Sequence, residues 1–207
     1  MGIKISGCKK CRKIGEKLCS RAARCALERR PTTPGQAGKR HGTVKLSEWG
    51  KQLREKQKVK LLYGLKEKQF RRFFERALQE KGVTGEILLN LLELRLDNVL
   101  FRLKMATSRP QARQMVAHGH VLVNGKRVSI PSYVASPGDE IALAERTKSR
   151  ESFLKTVVEK RLNIGIKVPD WLELNKQDYK GVILRNPERV EIKTPIEEHL
   201  IVELYSK

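Results

Sequence analysis

The sequence predicts an α+β protein: a helical domain with a small helix–hairpin module inserted into it, and a basic arm at the N-terminus. Three observations predict this. Between Ser47 and Gly119 apolar residues recur at i, i+3, i+4 and i+7, the period of amphipathic helices. Asn124-Gly125, between two short β-branched runs, is the strongest short-range hairpin signal. The stretch before residue 46 holds all four cysteines and a series of Pro and Gly, which rules out a long helix there. The expected divisions are an arm over 1–45 with a four-cysteine zinc site, a helical domain over 46–94 completed by a C-terminal helix over 194–207, and a module with antiparallel strands over 95–190.

A chain of 207 residues is long enough to bury a core, and 39% hydrophobic with only 5% aromatic residues points to helices packed with Leu and Val. The net charge of +21 repels itself unless a polyanion neutralises it. Nucleic acid is the leading partner, and an acidic membrane surface is the alternative. No stretch is apolar for long enough to span a bilayer, and MGIKISGCKKC has no hydrophobic signal core. A cytoplasmic protein is therefore expected. Residues 1–60 carry 18 Lys and Arg against 4 Asp and Glu, whereas residues 161–207 carry 8 of each. That is the pattern of a basic arm on a neutral body.

In the arm, Cys8 and Cys11 form a CxxC, followed by Cys19 and Cys25. Four thiolates can close a tetrahedral Zn2+ site that folds a segment too small for a core. His41 is a substitute ligand if Cys19 points away, and unliganded cytosolic thiols are the plain alternative. The stretch ALERRPTTPGQAGKRHG puts Arg29, Arg30, Lys39, Arg40 and His41 on a loop broken by Pro31, Pro34, Gly35, Gly38 and Gly42. It is either a disordered linker or a tail that orders on RNA.

Ser47 caps a helix that runs to about Tyr63 and stops at Gly64, with Trp49, Leu53, Val59, Leu61 and Leu62 at its apolar positions. Phe70, Phe73, Phe74, Ala77 and Leu78 share one face of the next helix, which makes the aromatics core rather than base-stacking platforms. Arg71, Arg72 and Arg76 lie off that face, within reach of phosphate. A third helix starts near Thr84, with Ile87, Leu88, Leu91 and Leu92 inward. In the module, Leu96, Val99, Leu100 and Leu103 give a first helix. Ser108 with Gln111 has the form of a capping box, and Pro110 fits the first turn of a second helix. That helix buries Ala112, Met115 and Val116 and ends at about His118, before Gly119. Past the hairpin, Pro137-Gly138-Asp139 turns into the strand EIAL, and Ser149 to Leu162 reads as one helix. Residues 166–185 suggest two strands around a polar turn, with Trp171 packed. The ending TPIEEHLIVELYSK has a capping box at Thr194 and Glu197 and reads as a short helix, although IVELY also suits a strand.

Arg109, Arg113 and Gln114 lie at the start and along the exposed side of the second module helix, and His118, His120, Asn124, Lys126 and Arg127 come from its end and the hairpin. A helix N-terminus beside two arginines suits a phosphate, whereas a solvated basic face is the plain alternative. RLDNVLFRL, SRPQARQMVAHGHVLVNGKRV and IPSYVASPGDEI, in that order, resemble the small RNA-binding module named after bacterial small-subunit ribosomal protein S-four. That module also occurs in some pseudouridine synthases and tyrosyl-tRNA synthetases. ERRPTTPGQAGKRHG, KVKLLYGLKEKQFRRFF and the C-terminal segment resemble the ribosomal S-four family itself, so the resemblance runs essentially end to end. It implies a structural protein that binds the 5′ domain of small-subunit rRNA, nucleates subunit assembly and contributes to translational accuracy. It also implies two neighbours, ribosomal protein S-five and mRNA close to where it enters the subunit. The RNA contacts it implies are Arg29, Arg30, Lys39, Arg40, His41, Lys58, Lys60, Arg71, Arg72, Arg109, Gln111, Arg113, Gln114, His118, His120, Asn124 and Lys126. In the zinc-binding form of the family, Cys8, Cys11, Cys19 and Cys25 sit where one structural Zn2+ is held.

No Gly-rich phosphate loop, nucleophile elbow or HExxH appears, so neither an enzyme nor a small-molecule substrate is expected. A pseudouridine synthase needs a separate catalytic domain, and only about sixty residues follow the stretch that resembles the module, which ends at Ile141. A zinc-dependent DNA-binding regulator would need a recognition-helix dimer pattern, which the sequence lacks.

Overall fold

The computed structural model describes residues 7–18, 25–35, 46–149, 152, 154–155, 167–192 and 194–206. Within them the helices are α1 (Gly7–Ile14), α2 (Ala26–Arg29), α3 (Glu48–Tyr63), α4 (Glu67–Gln79), α5 (Thr84–Glu93), α6 (Leu96–Arg102), α7 (Arg109–Ala117), α8 (Glu145–Lys148) and α9 (Glu198–Tyr205). The strands are β1 (Val121–Val123), β2 (Lys126–Arg127), β3 (Glu140–Leu143), β4 (Leu172–Asn175) and β5 (Lys180–Ile183). The chain divides into two compact units, Met1–Gly85 with Thr194–Lys207, and Glu86–Lys193. The division falls inside α5 rather than at its end.

In the first unit, Ser47 Oγ accepts from Gly50 N at 3.2 Å to start α3, and Gly64 ends it in the left-handed region at φ 67°. Val59 and Tyr63 are buried, but so are Gln52, Glu55 and Lys58, so α3 carries a polar stripe inward. Trp49, expected among its apolar positions, is 58% exposed in the first turn. The face of α4 is made by Phe70, Phe74 and Ala77. Leu78 is 57% exposed, because at about 100° per residue it lies roughly 80° around from Phe70 whereas Ala77 lies roughly 20° away. The C-terminal α9 packs on α3, and Tyr205 stacks on Phe74 with ring centroids 4.4 Å apart. IVELY is thus helical. The helix starts at Glu198, not at Thr194, because Glu197 N is tied to Glu55 Oε2 at 3.3 Å and the Thr194–Glu197 capping box does not form.

In the second unit an antiparallel sheet of order β2-β1-β3-β5-β4 packs with α6 and α7 around one core. Leu122 pairs with Arg127, Val123 with Ile141, Ile141 with Gly181, and Leu172 with Ile183. This register turns Val121, Val123, Ile141 and Ile183 inward against Leu96, Leu100, Leu103, Met115 and Trp171. Asn124 at φ 49° and Gly125 at φ 75° close the hairpin with both central residues left-handed, as the Asn-Gly pair predicts. At α7, Ser108 Oγ accepts from Gln111 N at 3.4 Å. Gln111 Oε1 accepts from Thr107 N at 2.8 Å, one residue upstream of the cap, so only half of the expected box forms. The helix expected over Ser149–Leu162 lies outside the described residues apart from 149, 152, 154 and 155.

Candidate nucleic-acid interface

Residues 91–100, LLELRLDNVL, are buried without exception, although they include Glu93, Arg95, Asp97 and Asn98. Buried charge is costly unless paired and hydrogen-bonded. Arg95 makes a two-point contact with Asp97 at 3.1 and 3.0 Å. Arg113 of α7 donates to the same carboxylate, Nε at 2.9 Å and Nη2 at 2.6 Å. Glu93 accepts from Arg102 at 2.9 and 2.6 Å and from Asn98 Nδ2 at 2.7 Å. The Asn98 oxygen in turn accepts Arg109 Nε at 2.7 Å, and the Arg109 guanidinium lies 4.7 Å above the Phe101 ring.

Two buried carboxylates therefore face three arginines, and Arg109 adds a fourth through the Asn98 amide, which leaves excess positive charge on the α6–α7 face. Arg109 and Arg113, expected along an exposed side, are half-buried because Asn98 and Asp97 draw them against α6. Glu93, Arg95, Asp97, Asn98 and Arg102 escaped sequence reasoning. Their one signal was charge placed inside an otherwise apolar run. The start of α7 offers few amides: Pro110 has none, and that of Gln111 is taken by Ser108. What this end offers an anion is the arginine side chains and the helix dipole.

Further along α7, Gln114 and His118 are both exposed and one turn apart. Gly119, at φ 71°, seats the Arg127 side chain, where a Cβ would run into the guanidinium. Arg127 Nη2 donates to the His118 carbonyl at 3.1 Å, which ties the hairpin to the end of α7 and puts a cation at its negative pole. Asn124 uses its amide internally, donating to Asp139 Oδ1 at 2.7 Å and accepting from Glu140 N at 2.8 Å. His120 Nδ1 lies 2.9 Å from the hydroxyl of buried Thr147. Lys126 is exposed. The structure thus brings Arg109, Arg113, Gln114, His118, Lys126 and Arg127 onto α7 and its hairpin, while Gln111, His120 and Asn124 serve as internal ties.

In the first unit, Lys58 is 4% exposed, with its ammonium between Glu16 at 2.8 Å and Glu55 at 3.3 Å, so it offers no surface charge. Lys60 is half-buried and paired with Glu67, as is Lys56 at 3.0 Å. Partial burial raises the Glu67 carboxyl, but hydrogen bonds from Lys60 and Lys56, and their charges, outweigh it and hold the group at about 2. Arg71 pairs with Glu75 at 3.0 Å yet stays exposed, and Arg72 and Arg30 are exposed. Lys39, Arg40, His41 and Cys19, and the side chains of Arg29 and Cys8, lie outside the described residues. Cys11 on α1 and Cys25 at the N-cap of α2 are buried, and α1 packs against α2. Among the described residues, no group of three or more His, Cys, Asp or Glu side chains is placed to hold a metal ion. No helix among them is long and apolar enough to cross a membrane.

Two family models match the chain in succession: the ribosomal protein S4/S9 N-terminal domain over residues 3–93, and the S4 domain over residues 94–141. The small ribosomal subunit protein uS4 of Thermoanaerobacter sp. (strain X514) is 50% identical over 205 residues, which cover 97% of this chain and 96% of that protein. The uS4 of Natranaerobius thermophilus is 48% identical over 207 residues, with the same coverage. That of Thermus thermophilus is 46% identical over 205 residues, again covering 97% and 96%. Both units, and the α7–hairpin face with them, fall within these alignments, and the chain belongs to the uS4 family of small ribosomal subunit proteins.

Proposed function

We propose that this chain is a structural rRNA-binding protein of the small ribosomal subunit, acting in the cytoplasm, that binds the 5′ domain of small-subunit rRNA. By doing so it nucleates subunit assembly and contributes to translational accuracy. It is not an enzyme. The observation that carries the reading is the α6–α7 face, where arginines are held over buried acids beside exposed Gln114, His118, Lys126 and Arg127. Guanidinium forks fixed in this way suit phosphate oxygens, and the exposed cations add counterion release. Side chains do not reach the base edges in the deep groove of A-form RNA, so such a face reads shape and backbone. Arg30, Arg71 and Arg72 supply further phosphate contacts, together with the basic loop of the arm. Ribosomal protein S-five and mRNA close to its point of entry are the proposed neighbours, on the family resemblance. The test is a titration against a folded fragment of the rRNA 5′ domain at two salt concentrations, with tRNA in excess. Tight binding that survives the competitor is expected. Binding that tRNA abolishes would leave only a generic polycation.

One structural Zn2+ on Cys8, Cys11, Cys19 and Cys25 is the second proposal. It is supported by the burial of Cys11 on α1 and of Cys25 at the N-cap of α2, two helices that pack together, and by the match of soft thiolates to Zn2+. A bound ion would tie α1 to the start of α2. Freshly purified protein is expected to carry one Zn2+ by elemental analysis, and Cys11→Ser to release it. Finding no stoichiometric metal refutes the site.

A further inference from the structure

We infer that Glu93 and Asn98 are positioning residues for RNA binding: they fix the Arg109 guanidinium in the orientation in which it meets a backbone phosphate. The inference rests on the reading that the α7 face binds rRNA. Asn98 is 1% exposed and cannot itself reach a ligand. Its amide has only one workable orientation. Nδ2 gives its hydrogens to the Glu93 carbonyl at 2.8 Å and to Glu93 Oε2 at 2.7 Å, and this turns Oδ1 toward Arg109 Nε. A flipped amide would set oxygen against two acceptors and an NH2 group against a donor. Glu93 is in turn held by Nε and Nη2 of Arg102. Phe101 lies beneath the guanidinium, with its ring centroid 4.7 Å from Cζ. The Nε of Arg109 is thus used as a hinge pin on the first turn of α7.

An arginine is rich in rotamers, and ordering it during binding weakens the complex. Here the ordering is completed in the folded protein. The fold does not need Arg109 for this arrangement, because the Asn98 donors are satisfied by Glu93 alone. Asn98 therefore acts on RNA through Arg109, and the two residues must be coupled.

The experiment measures affinity for the 5′-domain rRNA fragment over a range of salt, with tRNA competitor, for wild type, Asn98→Ala, Arg109→Ala and the double variant. Asn98→Ala is expected to bind roughly two- to tenfold more weakly with an unchanged salt slope, since Arg109 still neutralises its phosphate once bound. Arg109→Ala is expected to flatten the slope by about 0.7–0.9, one phosphate's worth. In that background Asn98→Ala is expected to have no further effect. Additive losses in the double variant overturn the inference, because Asn98 then acts on the fold and not through Arg109. Should Asn98→Ala not fold, Arg109→Lys leaves the buried residues intact. It keeps the charge, loses the Nε pin, and is expected to bind more weakly at the same slope. Wild-type affinity in Arg109→Lys also overturns the inference. If the wild-type protein itself fails to hold the fragment against tRNA, the RNA-binding reading falls before any variant is compared, and the inference falls with it.

Discussion

Lys58 sits in a stretch of high positive charge, yet its ammonium is enclosed by Glu16 and Glu55 and its side chain is 5% exposed. Removing the cation leaves Glu55, with a side chain 11% exposed, as a buried charge without its partner. Breaking a buried pair in this way costs about 3–5 kcal/mol. Lys58→Met is expected to lower the urea midpoint by the low end of that range, since Glu16 is more exposed and recovers hydration. The salt slope of RNA binding should not move. A slope that flattens by about one phosphate with stability intact would place Lys58 on the RNA instead. Gly119 is the second position where one atom decides. At φ 71°, Gly119→Ala strains the backbone by about 1–2 kcal/mol and displaces Arg127 from the His118 carbonyl. Thermal unfolding should show that loss, and a neutral substitution would mean that α7 ends differently. Such pairings were not legible in the sequence. Asp97 meets Arg113 sixteen residues away, and Asn98 meets Arg109 eleven residues away, across a helix–helix packing that no local period encodes.

Local chemistry did specify the elements. The hydroxyl of Ser47, glycines at 64 and 119, and Asn124-Gly125 each act within a few residues of themselves, and each sits where its turn or cap requires. What failed was decided at longer range. Thr194 and Glu197 have capping-box spacing, but Glu55 on α3 takes the Glu197 amide and the helix starts at Glu198. Trp49 and Leu78 are apolar at near-helical spacing, but each falls at the margin of its helix face. Nothing in the periodicity of β5 announced the contact beneath Gly181 either. A Cβ there would lie 2.5 Å from Cδ2 of fully buried Leu103 on the α6 side of the sheet. Interiors this dense do not absorb a methyl group freely. Gly181→Ala is expected to cost about 1–3 kcal/mol through overpacking, read as a lower urea midpoint at unchanged m-value. Leu103→Ala alone is expected to cost about 2–5 kcal/mol through its cavity, and the double variant should lose less than the sum of the two single losses, because the second change removes the clashing atoms.

The first unit is assembled from both ends of the chain, and Glu67 is where those ends meet electrostatically. Its carboxylate accepts from Lys60 and Lys56, and the Tyr205 hydroxyl of α9 donates to it at 3.1 Å. Burial raises the Tyr205 phenol above its ordinary value, and the Glu67 charge and hydrogen bond add to the shift. The Glu67 carboxyl is held at about 2, below its ordinary value of 4.5. The unfolded chain therefore binds a proton at a higher pH than the folded one, and stability rises with pH through the interval between those values. The contribution is fully present above about 4.5 and is lost as pH falls through about 2. Its size is small: the Glu67 side chain is 51% exposed, and solvent and salt screen such pairs to below about 1 kcal/mol. Glu67→Gln keeps an acceptor for Tyr205 and removes only the charge. Urea midpoints measured from pH 6 downwards should show wild type ahead of Glu67→Gln at the start, with the gap closing as pH approaches 2 and shrinking in high salt. No gap at pH 6, or one that does not close as pH falls, would mean that the lysine charges do not stabilise this junction, which the Tyr205 hydrogen bond and packing would then hold.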